Sequence, residues 1–260
     1  MAVHACLSLT SHFKSVTLGV HAYEVLSRAS AFLAMRDGCL HVVSSAHVTH
    51  PFAFPHYYPE KGFLAALTAD DLRYSVEVRD AGTGAALLTA KLPALRRMAR
   101  HPGARDVSAL ALPGGGGGAL LAALGGSPAA SLRALATARP GNGAPLTVHG
   151  HALLPATDAA GEDTSALLPR VVSASLLGRS PAGQCFLRTA EVLEFGSCGG
   201  PVVDAQGAVV GVVEGVVPQA AAEGAPCVQA RASKLLGGCA VIVEAQTIME
   251  TLERALESQL

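Results

Sequence analysis

The sequence predicts an all-β fold of barrels or sandwiches that is followed by one C-terminal helix. Short strand-like runs separated by glycine and proline recur along the 260 residues, a pattern typical of these folds. The runs are residues 31–35, 39–44, 74–79, 107–112, 146–150, 170–177 and 209–217. The end of the chain differs, because Ile248, Met249, Leu252 and Leu256 repeat at helical spacing between charged residues. We therefore expect an amphipathic helix over residues 244–258.

The composition is that of a folded protein with a large core. Hydrophobic residues make up 50% of the chain and charged residues 15%, which excludes global disorder. The chain of 260 residues suffices for one large or two small domains. The formal net charge of -1 argues against a nucleic-acid-binding surface and against a polybasic membrane anchor. No run approaches the ~20 apolar residues that a membrane-spanning helix needs, so we expect no membrane span.

The N-terminal residues show no apolar segment followed by a cleavage site, so secretion is not expected. We expect an intracellular protein whose six cysteines are reduced. Residues 1–16 are rich in hydroxyls and lack acidic residues, as in a mitochondrial transit peptide, but the usual arginines are missing. Residues 258–260 resemble a peroxisomal signal, except that Gln259 replaces the basic residue. No Cys-x-x-Cys pair is present, so neither a structural zinc ion nor another cofactor is expected.

Five consecutive glycines, residues 114–118, lie near the middle of the chain. A phosphate-binding loop would need Gly-Lys-Ser or Gly-Lys-Thr after them, and neither follows. A flexible loop or linker explains the glycines better. Residues 119–124 and 129–136 favour one or two helical turns each, and a second β unit starts near residue 140.

Three short segments carry residue types that do chemistry together. His47 stands in Ala-His-Val directly after a strand-like run, Asp106 in Arg-Asp-Val-Ser, and Cys198 in Gly-Ser-Cys-Gly-Gly-Pro. A thiol is nucleophilic as a thiolate, so it needs a base or a cation alongside. His47 can supply either, and Asp106 can hold the imidazole in one tautomer. The loop around Cys198 is hard to explain by core packing alone.

In this order the three segments resemble the trypsin/chymotrypsin-like peptidases, most of all the HtrA/Deg type, whose histidine segment also reads Ala-His-Val. The resemblance implies two antiparallel β-barrels of the chymotrypsin-like kind with the site between them. The first barrel, 15–113, would hold His47 and Asp106, and the second, 140–243, the nucleophile loop. The remaining units would be an N-terminal extension over 1–14, a Gly/Ala-rich linker over 114–139 and the C-terminal helix over 244–260.

Cys198 stands where this family carries serine. Ser197 precedes it, but Gly-Gly-Pro directly follows Cys198, and that register makes Cys198 the nucleophile. The resemblance also places the backbone N–H groups of Gly196 and Cys198 in an oxyanion hole. It implies that Glu214 and Gly215 line the first substrate-specificity pocket. Charge complementarity would then favour a basic residue at the cleavage site, whereas an exposed glutamate at a strand edge is the simpler interpretation.

The resemblance implies an endopeptidase that hydrolyses peptide bonds with Cys198, His47 and Asp106 through an acyl-enzyme, without a metal or other cofactor. The alternative is a proteolytically inactive protein of the same fold that serves as a scaffold or as a subunit of a larger assembly. A Ser-to-Cys exchange often impairs a site shaped for a hydroxyl, which favours this alternative. The partner is accordingly a polypeptide substrate or another protein, and the oligomeric state stays open.

Two other groups of residues have simpler explanations. The segment 49–61, rich in proline and aromatic residues, predicts an ordered surface loop beside the site. Its histidines, His50 and His56, lie close to His47 in sequence. A metal site formed by these three histidines is the alternative interpretation. His149 and His151 alternate on one strand face, but two histidines without a third ligand make a poor zinc site.

Overall fold

The computed structural model describes residues 6–93, 98–103, 105–154, 166–180, 184–220 and 227–258, and antiparallel β-sheet is its main component. The strands in these residues are β1 (Leu7–Ser15), β2 (Val20–Arg36), β3 (Cys39–Ser44), β4 (Leu72–Arg79), β5 (Ala86–Lys91), β6 (Ala99–Arg100), β7 (Ser108–Leu112), β8 (Leu132–Arg133), β9 (Pro145–Leu154), β10 (Ala166–Arg179), β11 (Cys185–Thr189), β12 (Pro201–Val203), β13 (Val209–Val216) and β14 (Ala240–Glu244). The α-helices are α1 (Ala46–Thr49), α2 (Gly115–Ala123), α3 (Cys227–Leu236) and α4 (Ala245–Glu257).

The first sheet has eight strands, with β1 and β2 at its centre. Its order is β5-β4-β1-β2-β3-β7-β6, and β8 pairs in parallel with β2. Leu9 on β1 lies opposite Ala29 on one neighbouring strand and opposite Val76 on the other, and all three side chains are buried. Within the described residues the edge strands β5 and β6 do not pair with each other. The first sheet is therefore open there, in contrast to the expected barrel, because β6 is only two residues long.

The N-terminal residues differ from the expected extension over 1–14. Residues 1–5 lie outside the described part of the chain, but β1 is a central strand of the first sheet. Two of its buried serine hydroxyls are hydrogen-bonded: Ser11 donates to the carbonyl of Val48 at 2.7 Å, and Ser8 donates to Glu77 at 3.1 Å. Small hydroxyls fit a sheet interior when an acceptor lies within reach. The first sheet therefore begins at Leu7 rather than at residue 15.

Six strands close the second unit into an antiparallel barrel in the order β10-β11-β14-β13-β12-β9. Large apolar side chains fill this second barrel, each at most 2% exposed. They include Val148, Leu187, Val202, Val213 and Ile242. A closed six-stranded barrel, another β-sheet and a C-terminal helix confirm the predicted all-β fold class of the chymotrypsin-like kind.

The glycine run is not the expected flexible loop. Residues 115–118 form the first turn of α2, which packs on the first sheet. A Cβ added at Gly117 would lie 2.8 Å from the Cβ of Leu40 on β3, so the helix can approach the sheet this closely only with glycine there. The connection between the first sheet and the second barrel therefore contains a packed helix.

The amphipathic C-terminal helix that the sequence predicts is α4, and it packs against both β units. Ile248 and Leu252 are fully buried in one apolar cluster with Phe32 and Val43 of the first sheet and Val212 of the second barrel. The first sheet and the second barrel thus share a core that neither encloses alone. Helix α3, by contrast, has no counterpart among the predicted elements.

The described residues contain no helix long and apolar enough to cross a membrane. The cysteine side chains described are all free, and they are Cys6, Cys39, Cys185, Cys198 and Cys239. Residues 259 and 260, the end of the expected helix and of the peroxisome-like tripeptide, lie outside the described part of the chain.

Candidate active site

The first sheet brings His47 and Asp106 together. Strand β3 ends at Ser44, and the single turn of α1 carries His47, while Asp106 lies just before β7, the antiparallel neighbour of β3. The Asp106 carboxylate accepts two hydrogen bonds from His47. The backbone N–H donates to Oδ1 at 2.7 Å, and the ring Nδ1–H donates to Oδ2 at 2.6 Å. Both side chains are buried, so the second bond fixes the orientation of the imidazole and turns Nε2 away from Asp106.

The Cys198 side chain completes a chain of contacts with these two residues. Burial lowers the pKa of His47, but hydrogen bonds to Asp106 and to Cys198, together with the charges of both groups, raise it to about 10. Pairing with the Asp106 carboxylate therefore favours the imidazolium form of the ring at neutral pH. A neighbouring cation is what a cysteine needs to act as a thiolate nucleophile.

Residues 196–200, between β11 and β12, form a tight loop that needs glycine. Gly196 and Gly199 adopt φ values of 101° and 81°, in the left-handed region that other residues rarely adopt. A Cβ on Gly199 would also lie 2.1 Å from the carbonyl oxygen of Ser30 on β2. Strand β2 of the first sheet thus packs directly against the loop that carries Cys198.

Hydrogen bonds at the carbonyls of this loop fix the direction of its N–H groups. The carbonyl of Phe195 accepts from β9 at 2.6 Å, and the carbonyl of Ser197 closes a turn within the loop at 3.0 Å. Because the C=O and N–H of a planar trans peptide point in opposite directions, these bonds also aim the N–H groups of Gly196 and Cys198. Within the described residues neither N–H donates to a protein acceptor. Both can therefore bind a developing oxyanion.

Ser197, the neighbour of Cys198, faces away from His47. Its side chain is buried, and its hydroxyl donates to the carbonyl of His151 at 3.2 Å. Cys198 is partly exposed, and its thiol is close enough to the His47 ring to raise the pKa of that ring. Of the two neighbouring side chains, that of Cys198 is therefore the one on the side of His47.

Glu214 lies in a β-bulge of β13, where the pairing with β14 shifts register. A bulge redirects the side chain it contains. Burial and the charge of Asp106 raise the pKa of Glu214 to about 7, while the charges of His47 and Arg105 lower it. The carboxyl is therefore partly buried near the candidate site rather than at a fully exposed strand edge. Gly215 follows it, and no described atom lies within 4 Å of the place its Cβ would take.

Two tyrosines of the loop after α1 cover His47. The ring of Tyr57 stacks on the imidazole with centroids 4.4 Å apart and planes at 14°. The Tyr58 hydroxyl donates to the carbonyl of His47 at 3.2 Å, and Lys61 ties the loop to the carbonyl of Leu26 at 2.7 Å. The loop that was expected beside the site thus covers one face of His47, which is only 5% exposed.

Ser30 and His151 lie directly against the nucleophile loop. The sequence marked His151 only as half of a poor zinc site, and it did not point to Ser30. The hydroxyl of Ser30 donates to the carbonyl of Gly196 at 2.7 Å, and Nδ1 of His151 lies 2.9 Å from the same hydroxyl. A serine and a histidine inside strands carry no motif, so only the contact itself could reveal them. The described His, Cys, Asp and Glu side chains form no group of three that could hold a metal ion.

Comparison with known proteins identifies no family, since no family model and no curated protein matches the chain. Similar solved structures include three of Rv3671c from M. tuberculosis. An inactive mutant form from strain H37Rv is 16% identical with a TM-score of 0.47, covering 97% of this chain and 88% of that chain. The active form of the Rv3671c protease is 16% identical with a TM-score of 0.48, covering 96% and 80%. Another inactive form of that protease is 15% identical with a TM-score of 0.48, covering 97% and 89%. Similarity at this distance does not determine a function.

Proposed function

We propose that the protein is an endopeptidase, of the HtrA/Deg-like kind, that hydrolyses peptide bonds with Cys198 as nucleophile. One observation carries the proposal: the buried Asp106–His47 pair interacts with the partly exposed Cys198 thiol, and the N–H groups of Gly196 and Cys198 have no acceptor among the described residues. Burying charged groups costs desolvation that a fold has no need to bear for stability alone. The same groups in this order are what acyl transfer by a thiol requires.

Acylation would start from the Cys198 thiolate beside the His47 imidazolium. The sulfur attacks the scissile carbonyl carbon, a C–S bond forms, and the carbonyl π electrons move to the oxygen, which the N–H groups of Gly196 and Cys198 bind. Nε2 of His47 then gives its proton to the leaving nitrogen. The C–N bond breaks as the carbonyl re-forms, so the amine product leaves and a thioester remains.

Deacylation uses the same groups in reverse. His47, now neutral, takes a proton from a water molecule whose oxygen attacks the thioester carbon. The C–S bond breaks, the acid product leaves, and the thiolate is restored beside the imidazolium. Asp106 holds the ring in one tautomer throughout, and its charge stabilises the imidazolium each time it forms.

Glu214 and Gly215 line the substrate pocket in this proposal, and the Glu214 carboxylate favours a basic residue at the cleavage site. Its redirected, partly buried side chain near His47 supports this assignment. A peptide-library profile at about pH 8 should show a preference for Lys or Arg of about 10-fold, which Glu214→Gln abolishes. A profile without that preference, or one that the substitution leaves unchanged, contradicts the assignment.

Site-resolved alkylation tests the nucleophile. Iodoacetamide labelling of Cys198 is followed by mass spectrometry from about pH 5 to about pH 10 in the parent protein and in His47→Ala. Near pH 6 we expect Cys198 to react about 10-fold faster than an ordinary thiol in the parent, and to lose this advantage in the variant.

His50→Ala is the matched control for this experiment. His50 is as buried as His47 and lies on the same short segment, but its Nδ1 contacts the Thr49 hydroxyl at 2.8 Å. Labelling of Cys198 should therefore be the same in His50→Ala and in the parent. Slow labelling of Cys198 that is equal in all three proteins would refute the proposal.

A proteolytically inactive protein of the same fold, acting as a scaffold or subunit, is the second candidate. The observation that favours it is the Tyr57 ring, which covers one face of His47. A permanently covered histidine predicts slow alkylation of Cys198 that does not change in His47→Ala. It also predicts no acceleration in Tyr57→Ala, because no functional pair lies beneath the ring.

A further inference from the structure

Ser30 contacts the nucleophile loop through three of its own groups. Its N–H donates to the carbonyl of Cys198 at 2.9 Å, and its hydroxyl donates to the carbonyl of Gly196 at 2.7 Å. Its own carbonyl oxygen lies 2.1 Å from the place a Cβ on Gly199 would take. Ser30 belongs to β2 of the first sheet, whereas the loop belongs to the second barrel. One residue thus connects the unit that holds His47 to the loop that holds the thiol.

His151 gives the Ser30 hydroxyl its orientation. The carbonyl of Gly196 can only accept, so the single hydroxyl proton of Ser30 points to it. In the 2.9 Å contact between Nδ1 of His151 and this hydroxyl, His151 must therefore be the donor. Ser30 and His151 are both 0% exposed, so water does not compete for these bonds. The carbonyl of His151 also accepts from the Ser197 hydroxyl at 3.2 Å, which gives the loop a second contact with the same residue.

We propose that Ser30, oriented by His151, is a positioning residue that sets the geometry of the oxyanion hole. The carbonyl of Gly196 belongs to the peptide that lies between the two peptides supplying the N–H groups of Gly196 and Cys198. Holding this middle peptide fixes the distance and the angle between the two donors. The catalytic consequence rests on the proposed peptidase function, whereas the structural consequence does not.

Kinetics of Ser30→Ala test the catalytic consequence. For a fluorogenic peptide chosen from the library, kcat should fall about 10-fold to 100-fold with KM nearly unchanged, since a misplaced oxyanion donor acts on the transition state. The affinity for a peptide aldehyde, whose thiohemiacetal oxygen occupies the hole, should fall by a similar factor. Alkylation of Cys198 by iodoacetamide should be unchanged, because displacement of iodide forms no oxyanion.

Ser11→Ala is the matched control. Ser11 is also 0% exposed, and its hydroxyl donates to the carbonyl of Val48 at 2.7 Å, away from the nucleophile loop. This variant loses a comparable buried hydrogen bond, so its kcat should stay within about twofold of the parent. Equal kcat losses in Ser30→Ala and Ser11→Ala, or full kcat in Ser30→Ala of an active parent, would overturn the inference.

Two His151 variants provide an independent test in case Ser30→Ala does not fold. His151→Asn keeps a donor near the position of Nδ1 and should retain most of kcat, whereas His151→Leu removes the donor and should behave like Ser30→Ala. Identical kcat values for the two variants contradict the proposed orientation of Ser30.

The amide resonances of residues 196–198 report whether Ser30 positions this loop, and they require no catalytic activity. In ¹H–¹⁵N spectra they should shift or broaden in Ser30→Ala and stay unchanged in Ser11→Ala. Unchanged loop resonances in Ser30→Ala overturn the inference even in a parent that cleaves no peptide. Slow, His47-independent alkylation of the parent overturns the proposed peptidase function instead, so the two failures are distinct.

Discussion

The carboxylate of Asp106 holds His47 at two places, the ring and the backbone. Helix α1 is a single turn whose N-cap residue, Ser45, makes no side-chain capping bond. Oδ1 of Asp106 accepts from the N–H of His47 and so satisfies one of the free donors at the start of this turn. Asp106 therefore fixes both the tautomer of the imidazole and the position of the residue that carries it.

Asp106→Asn should separate these two effects. If the amide oxygen keeps the backbone bond, the amide NH2 faces Nδ1 and forces the opposite tautomer of His47. We expect kcat/KM to fall by about 10³-fold to 10⁴-fold, with a stability loss of only about 1 kcal/mol. Peptide hydrolysis and urea unfolding measure the two quantities. Parental activity in Asp106→Asn would contradict the assigned role.

Glu214 makes the stability of the protein depend on pH. Burial and the charge of Asp106 raise its pKa from the ordinary 4.5 to about 7, so the folded state favours the protonated carboxyl. The charged Glu214 carboxylate destabilises the folded state. This effect is absent well below pH 4.5 and complete well above about pH 7. Glu214→Gln should therefore add about 2 kcal/mol more stability at about pH 8 than at about pH 5. Urea unfolding at both pH values measures this, and an equal gain at both would refute it.

The nucleophile loop depends on the strand beneath it, and two glycines show this. Gly199 and Gly143 have nearly the same φ, 81° and 79°. A Cβ on Gly199 would collide with the backbone of Ser30, whereas a Cβ on Gly143 would meet no described atom within 4 Å. The loop and β2 thus fit each other only without a side chain at residue 199.

Alanine at these two glycines should have unequal costs. Gly143→Ala introduces backbone strain of about 1 kcal/mol. Gly199→Ala adds a displacement of β2 and should lower the free energy of unfolding by about 3 kcal/mol or more. Urea unfolding of both variants checks the difference, and similar losses would show that the close contact with Ser30 does not matter.

The strands that the sequence predicts best are those with a conspicuous apolar run. Residues 39–44 match β3 completely, and 209–217 match β13 to within one residue. The sequence does not predict strand β1, because its buried positions include serine and threonine, and the acceptor of the Ser11 hydroxyl lies far along the chain in α1. The sequence alone does not show which distant residue is that acceptor. The packing of α2 is likewise not readable from the sequence, because Gly117 is needed only where Leu40 of β3 lies against it.

In the candidate site, too, some residues can be recognised from a short stretch of sequence and others only from contacts between distant segments. His47, Asp106 and Cys198 stand in short motifs and are therefore readable from the sequence. The contact of Ser30 with His151 joins two segments without a motif. It depends on how the first sheet meets the second barrel, and neither composition nor periodicity encodes that.

The core beneath α4 joins the first sheet and the second barrel, so the two should unfold together. Leu252 is fully buried among side chains of both units. Leu252→Ala should lower the free energy of unfolding by about 2–5 kcal/mol. Leu235, 69% exposed on α3, is the matched control, and Leu235→Ala should change it by less than about 0.5 kcal/mol.

Two probes test whether the unfolding is one event. All four tyrosines lie in residues 23–74, so tyrosine fluorescence reports on the first sheet. Labelling of the buried Cys185 reports on the second barrel. The urea midpoints of the two probes should coincide in the parent and in Leu252→Ala. Separate midpoints would show that the shared core does not couple the two units.

The position of α4 also sets an order of events during synthesis. His47 and Asp106 leave the ribosome long before Cys198, and the helix that fastens the two units together follows all three. Because a growing chain folds from its N-terminus onward, the core that the first sheet and the second barrel share beneath α4 forms only once residues 245–257 have emerged. Docking of the first sheet onto the second barrel is therefore expected to be a late step of folding during synthesis.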